Sequence, residues 1–144
     1  MDTSSRIDNE DLVDVPQYGQ EAHDITSHLQ TALSRSPVDY GEINLLLKNV
    51  RARLLNDSEY LSFFVKNGLH SVLFVFWPRL IEHADSSEET LKCLVPYSSN
   101  DMYFMAIAEE LLLRGAHIFC IHAMRRYTRR KNIKVFGPEL LTAI

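Results

Sequence analysis

From about residue 21 to the end of the chain, apolar residues recur at helical spacing, with polar residues on the opposite side. Ile25, Leu29, Ala32 and Leu33 stand at i, i+4, i+7 and i+8 and predict a helix that Ser36-Pro37 ends, since the residue before a proline is driven toward extended backbone. Ile43, Leu46, Leu47, Val50 and Leu54 form the clearest stripe, with Lys48, Asn49, Arg51 and Arg53 on the other face. Asp57 and Ser58 are of the type that caps a following helix, one with Leu61, Phe64 and Val65 inward and Gly68 past its end. A helix over 69–83 is apolar nearly all round, with Pro78 expected to kink it. Ser86 and Ser87 start the next helix, with Glu88 and Glu89 in its first turn and Pro96 shortening it. Helices over 101–114, 116–128 and from 131 complete the series, with Gly115 as a break and Pro138 starting or bending the last. Residues 1–18 show neither period. Asp2, Asp8, Glu10, Asp11 and Asp14 outweigh Arg6 there, and the stretch reads as an acidic disordered tail.

Two stretches align at a separation of 47 residues: KNGLHSVLFVFWPRL (66–80) over LRGAHIFCIHAMRRY (113–127). Gly68 matches Gly115, His70 matches His117, and Arg79 matches Arg126. Three residues of slack then bring EETLKCL (88–94) over PELLTAI (138–144). Helix, glycine, helix, loop, helix thus occurs twice, and neither copy can bury its apolar face alone. The expected fold is all-α: an armadillo-like, right-handed α-solenoid of about eight helices over 19–144, whose C-terminal end has no polar cap, so that the chain is expected to form a homo-oligomer or to need further C-terminal sequence.

Composition narrows the function class. Five glycines and five prolines in 144 residues argue against β-sandwiches and low-complexity chains. A net charge of −4 argues against nucleic acid as a partner. Two cysteines and no secretion-signal pattern point to a reducing compartment.

At this level of detail NVRARLLNDSEYLSFFVKNGLHSVL (49–73) resembles the start of the armadillo-like regulatory region of diaphanous-related formins. That family has a Leu-Arg-x-x-Leu helix ending in an Asn-rich turn, an aromatic helix, then Gly-Leu-x-x-Leu-Leu. The counterparts are Val50-Arg51, Leu54, Asn56, Phe64, Gly68-Leu69 and Val72-Leu73. DITSHLQTAL (24–33) resembles the short helix upstream, ETLKCLVPYSSN (89–100) an Arg-Cys-Leu helix ending in Asn-Asn, and GPELLTAI (137–144) the next core helix. The resemblance implies a cytoplasmic, cytoskeleton-associated binding module without cofactor or catalysis. Its partners would be a Rho-family GTPase and an autoinhibitory amphipathic helix, with actin affected only indirectly. By position it assigns partner contact to Ala52, Asn56, Ser99, Asn100 and Phe104, and more loosely Leu140 and Leu141. Departures are Pro78 and Pro96, the turn reduced to Asn56-Asp57, and an acidic rather than basic lead-in. The pattern also suits an armadillo-like scaffold of another family that binds an unrelated peptide.

Other chemistry is sparse. His117, Cys120 and His122 lie close in sequence, but only the first two share a helix face, so no metal site is expected. Cys93 has no nucleophile signature around it. Trp77, Phe74 and Phe76 read as helical core rather than a surface anchor. Arg125, Arg126, Arg129, Arg130, Lys131 and Lys134 put six positive charges in ten residues. They read as a solvated helix end, with an acidic partner, a membrane surface or the chain's own acidic tail as candidate counterparts.

Overall fold

The computed structural model describes residues 17–98 and 101–144. All regular structure among them is helical: α1 (Tyr18–Ser34), α2 (Tyr40–Asn56), α3 (Tyr60–Lys66), α4 (Leu69–Val75), α5 (Trp77–Leu80), α6 (Ala84–Ser98), α7 (Asp101–Leu113), α8 (Ala116–Arg126) and α9 (Lys131–Ala143). Helix α1 begins at Tyr18, so the expected tail boundary at residue 18 moves back. The remainder of the tail, residues 1–16, lies outside the described residues.

The sequence stripes are the buried faces. Ile25, Leu29, Ala32 and Leu33 of α1 and Ile43, Leu46, Leu47, Val50 and Leu54 of α2 are all in the core. Asp39 caps α2, its carboxylate accepting from the Glu42 N–H at 3.2 Å. Ahead of α3 the Asp57 carboxylate accepts the Glu59 N–H at 3.0 Å, forming the turn rather than capping the helix from its N-cap position, which Glu59 occupies. Gly68 and Gly115 both adopt left-handed backbone, with φ of 72° and 85°, and each starts a new helix.

The prolines act differently from expectation. Near Pro78 the helix does not kink but breaks: α4 ends at Val75, and α5 restarts with Pro78 near its N-terminus, where a missing N–H costs nothing. Pro96 does not stop α6, which runs on to Ser98; only the last turn loses a backbone bond. Pro138 sits inside α9 and neither begins nor ends it. Helix α6 starts at Ala84, two residues before the expected Ser86. The reason is tertiary: Ser86 and Ser87 are buried, Ser86 Oγ donating to Asn44 Oδ1 at 2.6 Å and Ser87 Oγ to the Leu80 carbonyl at 3.0 Å.

Helix α2 packs on α6 and α6 on α9, making a row of three. Helix α1 lies on α2, α3 and α4, α7 on α4 and α6, and α8 on α7 and α9. Burial keeps one register along the row: Ile43, Ser86 and Ile133 are equivalent, as are Leu47, Thr90 and Gly137, then Val50, Cys93 and Leu140. Helices α6 and α9 begin 47 residues apart, and the buried positions named above keep that spacing. Two arginines 47 residues apart make similar contacts. The Arg79 guanidinium donates to the Arg35 carbonyl, and Arg126 donates to the Ile81 carbonyl at 3.4 Å and to Glu82 at 3.2 Å. Tyr40 and Tyr127 hydroxyls cap the carbonyls of Arg79 (2.9 Å) and Ile81 (2.6 Å). These contacts gather at the end of the row where α2 begins.

Candidate functional site

Helix α2 turns its buried stripe toward α1 and α6, which leaves Leu45, Lys48, Ala52, Leu55 and Asn56 on the opposite side. Leu45 and Leu55 are 69% and 67% exposed, so two apolar side chains face outward from a helix whose burial is already satisfied. A cavity of about 540 Å³ lies at the C-terminal end of this face, lined by Glu21, Ala52, Arg53, Leu55, Asn56 and Tyr60. A second, of about 230 Å³, continues along the helix between Lys48, Arg51, Ala52 and Leu55.

The wall of the larger cavity is a polar lattice. Glu21, one turn into α1, accepts the Tyr60 hydroxyl at 2.5 Å and pairs with Arg53 at 3.3 Å. Burial, reinforced by the Glu21 carboxylate, holds the Tyr60 hydroxyl proton beyond the ordinary phenol range. Beside it the Tyr18 hydroxyl donates to Asp57, which raises the Tyr18 pKa to about 12 and holds Asp57 below the usual carboxylate range. The Tyr18 ring meets Tyr60 edge-on at 4.7 Å and stacks on Phe63 at 5.5 Å. The entry of α1 is thereby fastened to the α2–α3 turn. Arg53 reaches Asn49 at 2.9 Å, whereas the Asn56 side-chain amide has no partner among the described residues. Lys48 and Arg51 form no ion pair with a described carboxylate.

Of the residues assigned to partner contact by resemblance, Ala52 and Asn56 are exposed and share the larger cavity. Ser99 and Asn100 lie outside the described residues. Phe104 and Leu140 are corrections. Phe104 lies on the stripe with Ile107 and Leu111, and Leu140 on the one with Ile133 and Gly137, so helical phase turns both into the core and away from a partner. Leu141 is half-buried against that core. Glu21, Arg53 and Tyr60 in the larger cavity, Lys48, Arg51 and Leu55 in the smaller, and exposed Leu45 farther along the helix were not singled out by sequence reasoning. Leu45 and Leu55 carried a legible signal, since both are apolar yet out of phase with the buried stripe.

The basic run is divided by the fold. Arg126 pairs with Glu82, and Arg130 pairs with Asp85 at 2.5 Å and approaches Glu88 at 3.8 Å; these contacts join the α8–α9 turn to α6 and the segment before it. Arg125, Arg129, Lys131 and Lys134 are exposed. The cysteines are packing residues. Burial pushes the Cys93 thiol far up while its Sγ donates to the Leu47 carbonyl at 3.1 Å, and burial raises Cys120 to about 12. His122 is exposed beside the Trp77 ring, at 6.0 Å. Phe74 is buried, with Phe76 and Trp77 packed partly buried against the core. Among the described residues no group of three or more His, Cys, Asp or Glu could hold a metal ion, and no helix is long and apolar enough to cross a membrane.

A polar cluster on α4 and α7 also went unforeseen. Glu110 accepts from the Ser71 hydroxyl, meets His70 Nε2 at 2.7 Å and pairs with Arg114 at 3.2 Å. The Ser71 bond foremost, then His70 and Arg114, lowers its pKa to about 2. Compared with protein-family models, with curated proteins and with solved structures, the chain gives no match.

Proposed function

We propose that this chain is a regulatory binding module of formin type. Its helices would form an armadillo-like, right-handed α-solenoid, with α2, α6 and α9 as the repeated third helix of each unit. The common burial register of those three helices supports that architecture. The module receives a Rho-family GTPase or an amphipathic autoinhibitory helix through the outward face of α2, and influences actin organisation only through those partners. The observation that carries this reading is the cavity on α2: Ala52 and Asn56, both assigned to partner contact by the resemblance, line it together. Exposed Leu55 and Leu45 would take the apolar ridge of a partner helix, and the unpartnered Asn56 amide would hydrogen-bond its polar end. Competition between GTPase and helix would couple the two, and that coupling must be reciprocal.

The test is capture of Rho-type and Rac-type GTPases on the immobilised chain, loaded with a GTP analogue or with GDP, at two salt concentrations. GTP-selective capture that weakens in Asn56→Asp with helical content unchanged is the expected result. Capture of neither nucleotide state by a folded chain overturns the formin-type reading. The second reading is an armadillo-like scaffold of another family for an unrelated peptide. Unpaired Lys48 and Arg51 beside Leu55 favour an acidic amphipathic ligand in that case.

A further inference from the structure

Helix α8 carries apolar and cationic side chains that the fold leaves uncovered. Ile118, His122 and Arg125 stand at i, i+4 and i+7, so they share one stripe of the helix, and all three are exposed. Half-buried Trp77 joins them. A point one Cβ out from Gly115, where α8 starts, lies 3.4 Å from Trp77 Nε1 and 3.7 Å from Ile118 Cδ1, so both side chains flank the same turn. The Trp77 ring also meets the His122 ring, at 6.0 Å, and its indole N–H forms no hydrogen bond with a described residue. Leu113, 81% exposed, lies two residues before Gly115 along the chain.

Beyond His122 the stripe runs into positive charge. Arg125, Arg129, Lys131 and Lys134 are exposed and form no ion pair with a described carboxylate. The acids that do reach this corner, Glu82, Asp85 and Glu88, are held by Arg126 and Arg130. The mixture fits the headgroup layer of an anionic bilayer. Such a layer takes a Trp with an apolar body and a polar N–H, an aliphatic side chain beside it, and arginines whose stems lie on the surface while their heads reach phosphate. A second copy is a poorer occupant, because the same face on both molecules would set Arg125 and Arg129 against like charges. An acidic peptide helix calls for a concave seat, which the cavities along α2 provide and a single helix stripe does not.

We propose that this face of α8 docks on an anionic membrane surface, with Trp77 and Ile118 at the boundary between headgroups and acyl chains and Arg125, Arg129, Lys131 and Lys134 on the lipid headgroups. Each cation held near such a surface adds to the attraction, and salt screens it, so the attachment is reversible and sensitive to ionic strength. The inference concerns a different face from the docking surface on α2 and survives the failure of that reading.

Trp77 is the single tryptophan of the chain, so its emission reports on this face alone. The full chain is mixed at low salt with phosphatidylcholine vesicles, with and without phosphatidylserine. Emission should shift to the blue, and the chain should co-sediment, only where phosphatidylserine is present; raising the salt should reverse both. Lipids brominated in the upper acyl chain should quench Trp77. Arg125→Glu with Arg129→Glu should weaken binding at least about tenfold, with circular dichroism unchanged. Lys48→Glu with Arg51→Glu should have little effect. Ile118→Ser should keep the attraction and reduce the blue shift. Failure of the wild-type chain to bind anionic vesicles overturns the proposal, as does binding that leaves Trp77 emission unchanged or survives the reversal of Arg125 and Arg129. The same shift with soluble glycerophosphoserine alone would mark a small-anion site, and capture of polyglutamate without vesicle binding would mark an acidic-protein surface; either result replaces the membrane.

Discussion

Arg79 and Arg126, 47 residues apart in the sequence, make matching contacts: each guanidinium reaches back about 45 residues to a backbone carbonyl at a helix end, Arg35 for the first and Ile81 for the second. A carbonyl at a helix end has no partner within its own helix, so a cation there satisfies an acceptor and joins two helical segments at once. Arg126→Ala should lower the melting temperature by about 2 °C, a modest loss because the side chain is partly exposed. Arg129→Ala, at an exposed residue of the same turn, should leave it unchanged. Equal melting temperatures for both variants would reduce the Arg126 contact to decoration.

The two left-handed glycines should be costly to replace. A Cβ at φ near +70° to +85° is costly, so Gly68→Ala should destabilise by about 1 kcal/mol in urea unfolding. Gly115→Ala should cost a similar amount, since its Cβ would meet Trp77 Nε1 at 3.4 Å, within ordinary contact. Gly19→Ala, in α1 and at an ordinary 3.7 Å from the Phe63 ring, should stabilise by a few tenths of a kcal/mol.

Tyr97 is fully buried, and its hydroxyl has no hydrogen-bond partner among the described residues. A buried hydroxyl that has left water without compensation works against folding. Tyr97→Phe should therefore be neutral or raise stability by up to about 1 kcal/mol, measured by the same urea titration. A clear loss would mean that the hydroxyl is bonded in solution.

Glu110 makes stability pH-dependent. Its folded pKa, about 2, is below its ordinary value of 4.5, so the unfolded chain binds the proton more readily. The Ser71, His70 and Arg114 contacts thus contribute fully above about pH 4.5, and the contribution is lost as pH falls toward about 2. Glu110→Gln should flatten the slope of unfolding free energy between about pH 5 and pH 3, while the wild-type chain loses stability across it. Parallel slopes would assign the acid sensitivity to other carboxylates.

Much of this fold was legible in the chain, because helical periodicity is local. The stripes of α1 and α2, the glycine breaks at 68 and 115 and the 47-residue repeat all follow from spacing and backbone preference. Tertiary structure decided what spacing leaves open. Pro78 breaks a helix while Pro96 and Pro138 ride inside theirs, since the effect of one missing N–H depends on where neighbouring helices hold the backbone. Phe104 and Leu140 face inward because the phase of a helix is set by what it packs against. Arg126 and Arg130 are taken up by acids about 45 residues earlier, so a run of charge in sequence is not a patch in space. The candidate site is divided the same way: Leu45 and Leu55 stand out of phase in the sequence alone, but only the packing of α1 brings Glu21 and Tyr60 to the cavity beside Ala52 and Asn56. A chain can state which of its faces are apolar; which face is left over depends on how many neighbours arrive to cover it.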